Sequence, residues 1–403
     1  MLKRMGLLVL LTVAILSLAG CLKPVSLDAY GYVITIGVDR GEAKKYYYTF
    51  ALQRELEGQD TSGEGGAAVL SCEGNSIFEA VSELEGNIPY SLNFSRTGFI
   101  TFSRELAEGD AVKEFVSASL DALKIRTSAV MIVSEGDACE FIDGMYANND
   151  ANITKLQSAL MLDKQKTGMV TVMSISRLIE ACEDGRFDYC SAYGVYDAGV
   201  ITDTGEKKSE SEGEDPTGDA ERGERAGGLR SRIAGAALFS GWSMTGTLTR
   251  GETVWLNIAN GEFKSGVVDV KYGEGEESVS VGLSLEKVTR RLAIGGDGAV
   301  TATVDVVLGV GVRRMDQGTP PVEIDAWLTE DFARYAEEML LSVFMKCRFA
   351  ESDAMRFGTE AVRKFRTAEE WERFCWKERY LDLVPEFRVV TVNAEKYAAE
   401  GMQ

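Results

Sequence analysis

Apolar residues follow two different periods in the first half of this chain. A β-branched run over 32–38 and an alternation at period two over 46–52 flank the polar turn at 39–42, which predicts an antiparallel hairpin. Helical stripes and strand-like runs then follow each other in turn. The helical stripes cover 76–85 and 111–123, and the strand-like runs cover 98–102 and 129–133. This alternation is typical of a mixed α/β or α+β domain.

The last third of the chain begins with strands and continues with helices. Residues 279–285 and 300–312 alternate at period two on either side of a Gly-rich turn at 295–298. The elements that follow are helical patterns over 332–347, 361–365 and 369–377 and a final strand over 387–392. This order predicts a C-terminal antiparallel sheet with a long helix packed on it. The predicted fold class is therefore α+β, with mixed sheets flanked by helices.

One segment has the composition of a linker. Residues 203–228 read DTGEKKSESEGEDPTGDAERGERAGG and contain no apolar side chain larger than alanine, so they cannot bury enough surface to offset the entropy of ordering. We interpret them as a disordered acidic linker, with an acidic docking segment as the alternative; 57–66 is a shorter loop of the same kind. The predicted units are 1–20, 21–198 (α/β-type), 199–228 (linker) and 229–403 (α+β), with a further division into 229–275 and 276–403 left open.

The N-terminus has the features of a secretory signal. Lys3 and Arg4 precede an apolar run over 6–16, which is too short to span a bilayer. The sequence Leu-Ala-Gly-Cys at 18–21 resembles the bacterial lipobox, in which the cysteine receives a diacylglycerol with fatty chains such as palmitate. Two chains give stable anchoring where one is marginal. We therefore predict a lipoprotein anchored through Cys21, with an ordinary signal peptide and an incidental cysteine as the alternative.

Composition narrows the chemistry open to the chain. It holds 63 acidic residues, 43 basic residues and no histidine, and its formal net charge is −20. This acidity argues against nucleic acid as a partner, because phosphates attract basic surfaces. The absence of histidine excludes Ser-His-Asp and Cys-His catalysis and His-based zinc sites. Carboxylate chemistry stays open, but the absence of histidine argues against an enzyme, and we predict no enzymatic activity, no metal and no cofactor.

Six cysteines remain besides Cys21, and none belongs to a C-x-x-C pair. Cys182 and Cys190 are the closest pair in sequence. They allow two interpretations: a disulfide formed in an oxidising compartment, or buried thiols that act as small apolar side chains.

The segment 233–270 carries the most distinctive pattern. A short Gly-Ala-Ala-Leu-Phe strand is followed by a Thr-Gly-Thr-Leu segment, a turn with a glutamate and a Trp/Leu-rich strand. Its marker residues are Gly235, Phe239, Gly246, Glu252 and Trp255.

Two other segments complete this pattern. Residues 34–39 form a strand that ends Gly-Val-Asp and contains Gly37 and Asp39, and residues 353–358 form an Asp-x-x-x-Phe-Gly segment with Asp353 and Gly358, followed by Trp371 and Trp376. The order of these segments after a lipobox-like start resembles the Ger(x)C spore-germination lipoproteins, the C subunits of nutrient germinant receptors.

The resemblance implies a non-enzymatic protein built from three α+β domains. It implies a location on the outer face of the spore inner membrane, and the A and B membrane subunits of a germinant receptor as partners. It also implies a role in assembly or signal transduction during spore germination.

Two other functions stay open from the residues alone. The first is a solute-binding lipoprotein that delivers a small molecule to a transporter, which would need a pocket with convergent polar groups. The second is a cell-wall hydrolase that uses two carboxylates. The tryptophans at 242, 255, 371 and 376 likewise allow two roles, as interface anchors or as core side chains.

Overall fold

The computed structural model describes residues 29–53, 68–149, 153–197, 230–271, 278–315 and 321–393. The strands are β1 Tyr30–Arg40, β2 Tyr46–Gln53, β3 Ala68–Gly74, β4 Ser91–Asn93, β5 Phe99–Ser103, β6 Val130–Ser134, β7 Met173–Ser174, β8 Cys190–Tyr196, β9 Ser231–Ser240, β10 Ser243–Thr249, β11 Ser265–Lys271, β12 Ser278–Ile294, β13 Val300–Met315 and β14 Val384–Asn393. The helices are α1 Ile77–Glu85, α2 Arg104–Ala107, α3 Ala111–Leu123, α4 Ala138–Asn149, α5 Ile153–Lys166, α6 Ile175–Asp184, α7 Arg250–Ala259, α8 Pro321–Phe349, α9 Phe357–Ala361, α10 Ala368–Phe374 and α11 Trp376–Asp382.

The first sheet contains ten strands and is mixed. Its main order is β10-β9-β8-β6-β5-β1-β2-β3, with β4 paired to β1 and β7 to β6. The central pairs β1/β5, β5/β6 and β6/β8 are parallel, and the flanking pairs are antiparallel. The predicted hairpin is confirmed as β1/β2, and the predicted helices as α1 and α3. Since the helices pack on both faces, the central strands are buried throughout, as is typical of parallel strands.

Strands on either side of the acidic segment pair with each other in this sheet. Tyr196 at the end of β8 pairs with Ser231 at the start of β9, and the Asp197 amide donates to the Arg230 carbonyl (2.8 Å). The predicted boundary at 229 therefore falls between two neighbouring strands of one sheet. The further division at 275 likewise falls between β11 and β12, which pair with each other. The predicted signal peptide, Cys21, 57–66 and 203–228 lie outside the described residues.

The second sheet has the order β11-β12-β13-β14. The long β12/β13 hairpin turns at the predicted Gly-rich segment, where Gly298 has φ +82°. The strand β14 joins β13 in parallel, because α8 and the short helices after it carry the chain back before β14 begins. The predicted long helix is confirmed as α8, and the C-terminal sheet is antiparallel except at this edge.

The two sheets share an apolar core. Cys190, Leu238 and Leu248 from the first sheet belong to the same buried cluster as Val306 of β13 and Phe344 of α8. The helix α7 supplies further buried side chains to this cluster, including Trp255 and Ile258. The architecture confirms the predicted α+β class. None of the helices in the described ranges is both long enough and apolar enough to cross a bilayer.

Candidate functional site

Asp353 lies at the point where the C-terminal helices meet the first sheet. Its side chain is 2% exposed. One carboxylate oxygen accepts from the Phe357 amide (2.8 Å), and the other accepts from the Gly358 amide (2.7 Å) and from Trp376 Nε1 (3.0 Å). Burial raises the pKa of Asp353 to about 7, although the three N–H donors favour the charged form. We call this group, with its partners, the Asp353 junction.

Gly358 and Trp376 complete the junction by close packing. A Cβ on Gly358 would lie 1.9 Å from the Arg186 carbonyl oxygen and 2.5 Å from Trp376 Nε1, so only glycine fits. Trp376 is buried, and Trp371 stacks on it with ring centroids 6.0 Å apart. Trp371 itself is half-buried. The structure thus brings Asp353, Gly358 and Trp371 into one site, as their proximity in sequence suggests.

Asp188 ties this junction to the first sheet. Its carboxylate accepts from the Gly241 amide in the β9–β10 turn (2.8 Å) and from the Asp353 amide (2.9 Å). Burial raises the pKa of the Asp188 carboxyl. Nothing in the sequence around Asp188 distinguishes it from other acidic residues, so sequence reasoning missed it.

Arg290 of β12 approaches the junction from the second sheet. It donates to the Met355 carbonyl (2.5 Å), to Asn260 Oδ1 (2.9 Å) and to the Ala259 carbonyl. Burial lowers the pKa of Arg290 to about 10, so it remains a cation at neutral pH. In the sequence Arg290 takes the place of an apolar residue in the alternation between Val288 and Leu292; this signal could have identified it, but sequence reasoning missed it.

Next to Arg290 lies an ion cluster centred on Glu262. Glu262 accepts from Lys164 (2.7 Å) and from Arg356 (2.9 Å). Burial raises the pKa of Glu262, but the two cations outweigh it and hold the pKa below its usual range. The segment 353–358 is therefore held by Arg290 of β12 and by Glu262 of the α7–β11 loop, which Lys164 of α5 also contacts.

A second group of predicted residues surrounds β9, β10 and α7. The segment 252–256, predicted as a turn and a strand, lies instead in α7, because Thr249 and Glu252 form a capping box at its start. Glu252 also pairs with Lys346 of α8 (2.6 Å). Burial raises the pKa of Glu252, yet Lys346 and the Thr249 amide hold it below its usual range. Trp255 is 2% exposed and packs edge-on against Tyr335.

The two glycines of this second group allow neighbouring chain segments to pack closer than a side chain would permit. A Cβ on Gly235, whose φ is +152°, would lie 1.9 Å from the Leu248 carbonyl oxygen. A Cβ on Gly246 would lie 3.1 Å from the Cβ of Ala350, just after α8. Phe239 is fully buried and stacks on Tyr189 with centroids 4.3 Å apart. Gly235 and Phe239 thus fix contacts within the first sheet and its core, and Gly246 allows the close approach of the C-terminal helical region.

Gly37 and Asp39 form a third group, away from the other two in the sheet order. Asp39 accepts from the amides of Ala138 (2.6 Å) and Cys139 (3.0 Å) at the start of α4. Burial raises the pKa of Asp39 to about 6 against these two hydrogen bonds. Gly37 leaves room for Ile142 of the same helix, whose Cδ1 would be 2.7 Å from an added Cβ. The pair therefore docks α4 onto β1.

The thiols and carboxylates of the described residues form neither disulfides nor groups arranged as metal ligands. Cys182 and Cys190 are both free, so the structure does not pair them as a disulfide; Cys190 is a buried thiol, and Cys182 is partly buried and donates to the Gly241 carbonyl. Within the described part of the chain, no three Cys, Asp or Glu side chains are grouped as metal ligands would be. The arrangement around Asp353 joins two sheets and three helical segments through a buried polar centre.

Two sequence families match the chain in consecutive segments. One, described as "Spore germination protein N-terminal domain", matches residues 24–190, and the other, "Spore germination B3/ GerAC like, C-terminal", matches residues 234–395. Spore germination protein KC of Bacillus subtilis (strain 168) is 28% identical over 151 residues. That alignment spans 35% of this chain and only 36% of the relative.

The fold has a counterpart among solved structures. The crystal structure of the GerBC protein matches with a TM-score of 0.50 and 14% identity, over 89% of this chain and 97% of that one. This match supports the architecture described above, while the two family matches together span most of the sequence. The chain belongs to the Ger(x)C family of spore germination proteins.

Proposed function

We propose that this protein is the lipid-anchored C subunit of a spore nutrient germinant receptor. The observation that carries the proposal is the succession of three features: a lipobox-like sequence ending at Cys21, the N-terminal family match and the C-terminal family match. In this role the protein assists assembly or signal transduction by membrane-embedded A and B subunits during germination.

The anchor sets how far the protein can lie from the membrane. The strand β1 begins at Tyr30, nine residues after Cys21. A fully extended chain spans at most about 3.3–3.6 Å per residue, so the start of β1 stays within roughly 30 Å of the lipidated cysteine. Such a short tether keeps the first sheet close to partners in the same membrane, where binding becomes effectively intramolecular.

The shared core supports a role in transmission. Because the two sheets are joined by one apolar cluster and by the Asp353 junction, a force or contact at one sheet reaches the other through packed side chains. This is the behaviour expected of a subunit that connects partners rather than of a flexible tether.

The anchor is tested by replacing Cys21 with alanine in the full-length gene. We expect Cys21→Ala to move the protein from the membrane fraction to the soluble fraction, because the acyl chains are lost. The matched control is Cys375→Ala, the same change at an exposed cysteine, which should leave the protein in the membrane fraction. Unchanged membrane association of Cys21→Ala in a host without the partner subunits would contradict the anchor.

The role in germination is tested by deleting the gene in the native sporulating host. We expect deletion to abolish the response to at least one nutrient while a non-nutrient trigger still works, with the wild-type and Cys375→Ala genes restoring the response. Co-purification of the A and B subunits with the tagged protein should accompany this response. Deletion spores that respond normally to every nutrient would overturn the proposal.

A further inference from the structure

A pocket of about 420 Å³ opens beside the Asp353 junction, between α6, β12 and α9. Its lining includes three arginines, Arg177, Arg290 and Arg356, with Phe187 and Val288 as apolar walls. The volume falls in the lower part of the range of about 300–1,000 Å³ that small-molecule sites occupy. The pocket is therefore of a size for a small metabolite.

Arg290 has no carboxylate as a direct hydrogen-bond partner among the described residues. Its hydrogen bonds go to two backbone carbonyls and to an amide oxygen, all of them neutral acceptors. No carboxylate of the described residues forms a salt bridge with it. Burial of this cation is costly and lowers the pKa of Arg290, and the nearby carboxylates of Asp353, Glu360 and Glu262 offset this cost only in part. An anion in the pocket would supply a direct counter-charge.

The other charged side chains of the lining each form an ion pair. The pairs are Arg356 with Glu262 (2.9 Å), Arg177 with Glu180 (3.0 Å) and Glu360 with Arg363 (2.8 Å). The lining holds three arginines and two glutamates, an excess of one positive charge, and Arg290 is the arginine without a direct ion-pair partner among the described residues. This local excess is opposite in sign to the net charge of the chain, so it is not a general property of the surface.

We propose that this pocket binds a compact oxyanion, a carboxylate or phosphate group carried on a small, partly apolar molecule. Arg290 provides the direct counter-charge, and Arg177, although it pairs with Glu180, adds positive charge at the exposed side of the pocket, its mouth. A guanidinium presents paired N–H donors that match the oxygens of either group. Phe187 and Val288 contact the apolar part of the ligand. The inference stands on the pocket alone and does not depend on the proposed function.

Binding is measured on the full chain purified in detergent. We expect saturable binding by calorimetric titration with inorganic phosphate, with butyrate, or with both, at constant ionic strength. Saturation by phosphate alone identifies a phosphate-bearing ligand, and saturation by butyrate alone identifies a carboxylate. The proposal would be overturned if neither anion saturated the protein below about 10 mM, because a dissociation constant above that value is weaker than that of most specific sites.

Charge variants at the mouth locate the site. Arg177→Gln should weaken binding about fivefold and Glu360→Gln should strengthen it by a similar factor, as expected for unit charges roughly 6 Å apart at a dielectric constant of about 60. The matched control is Arg334→Gln, because Arg334 also forms an i,i+3 pair, with Asp331, and is similarly exposed (70% against 58% for the Arg177 side chain). Equal effects of Arg177→Gln and Arg334→Gln, or weaker binding by Glu360→Gln, would place the anion elsewhere.

Discussion

Replacing Gly358 with alanine tests how much the Asp353 junction contributes to stability. The added Cβ would lie 1.9 Å from the Arg186 carbonyl oxygen, whereas real Cβ contacts essentially never fall under 3.0 Å. The helix start must therefore move by about 1 Å or more, which stretches the Gly358 and Trp376 hydrogen bonds to Asp353 beyond useful length. Each bond to a charged group contributes about 1.5–3 kcal/mol, so we expect a loss of about 3–6 kcal/mol at pH 8.

The assay is urea unfolding followed by tryptophan fluorescence, to which the buried Trp376 contributes. The matched control is Gly251→Ala, because Gly251 is the second residue of α7 as Gly358 is of α9, and an added Cβ there meets nothing within 4 Å. The control should be unchanged or more stable by up to about 1 kcal/mol, through helix propensity. An unfolding free energy for Gly358→Ala within about 0.5 kcal/mol of wild type would refute the reasoning.

Three further predictions follow from the same contacts. The pKa of Asp353 is about 7 in the folded chain, against an ordinary 3.8, so the folded state holds this proton more tightly than the unfolded state does. Wild type should therefore lose stability relative to Asp353→Asn as the pH rises from about 4 to 7, by on the order of a few kcal/mol. A constant difference between the urea midpoints of the two proteins across that pH range would contradict this. Thr249→Ala should cost about 1 kcal/mol in the same unfolding assay by removing the cap of α7, while Thr249→Ser should retain it; equal losses in both would mean that the cap is not the cause. A thiol reagent should label the exposed Cys375 in the native protein and reach the buried Cys190 and Cys347 only after unfolding, as read by mass spectrometry of the labelled peptides; rapid native labelling of Cys190 would show that its surroundings are open.

Local patterns were sufficient for many of the elements. The bounds of α3, Ala111–Leu123, coincide with the predicted helix, because its apolar positions recur at helical spacing. The β12/β13 hairpin was equally accessible, since alternation on both sides of a Gly-rich turn specifies the pairing. The start of α7 could also have been predicted, because Thr249-x-x-Glu252 is the spacing of a capping box. This signal was overlooked, and the segment was predicted as a turn and a strand.

Contacts distant in sequence could not be predicted in the same way. The pairing of β8 with β9 crosses the acidic segment, and the parallel pairing of β14 with β13 follows a long helical return. The candidate site shows the same limit. Asp353 and Gly358 were predicted together from one short segment, whereas Asp188 and Arg290 reach them from other parts of the chain. Their roles depend on three-dimensional neighbours that no local period encodes.

The paired ends of β8 and β9 make the acidic segment a suitable place for engineering. Since Tyr196 pairs with Ser231 and Asp197 bonds to Arg230, the chain leaves and re-enters the sheet at one point. For a flexible loop that closes at such a point, doubling the length costs only about 0.6 kcal/mol. An epitope or a fluorescent protein inserted there should leave both sheets intact and allow the protein to be followed in living spores.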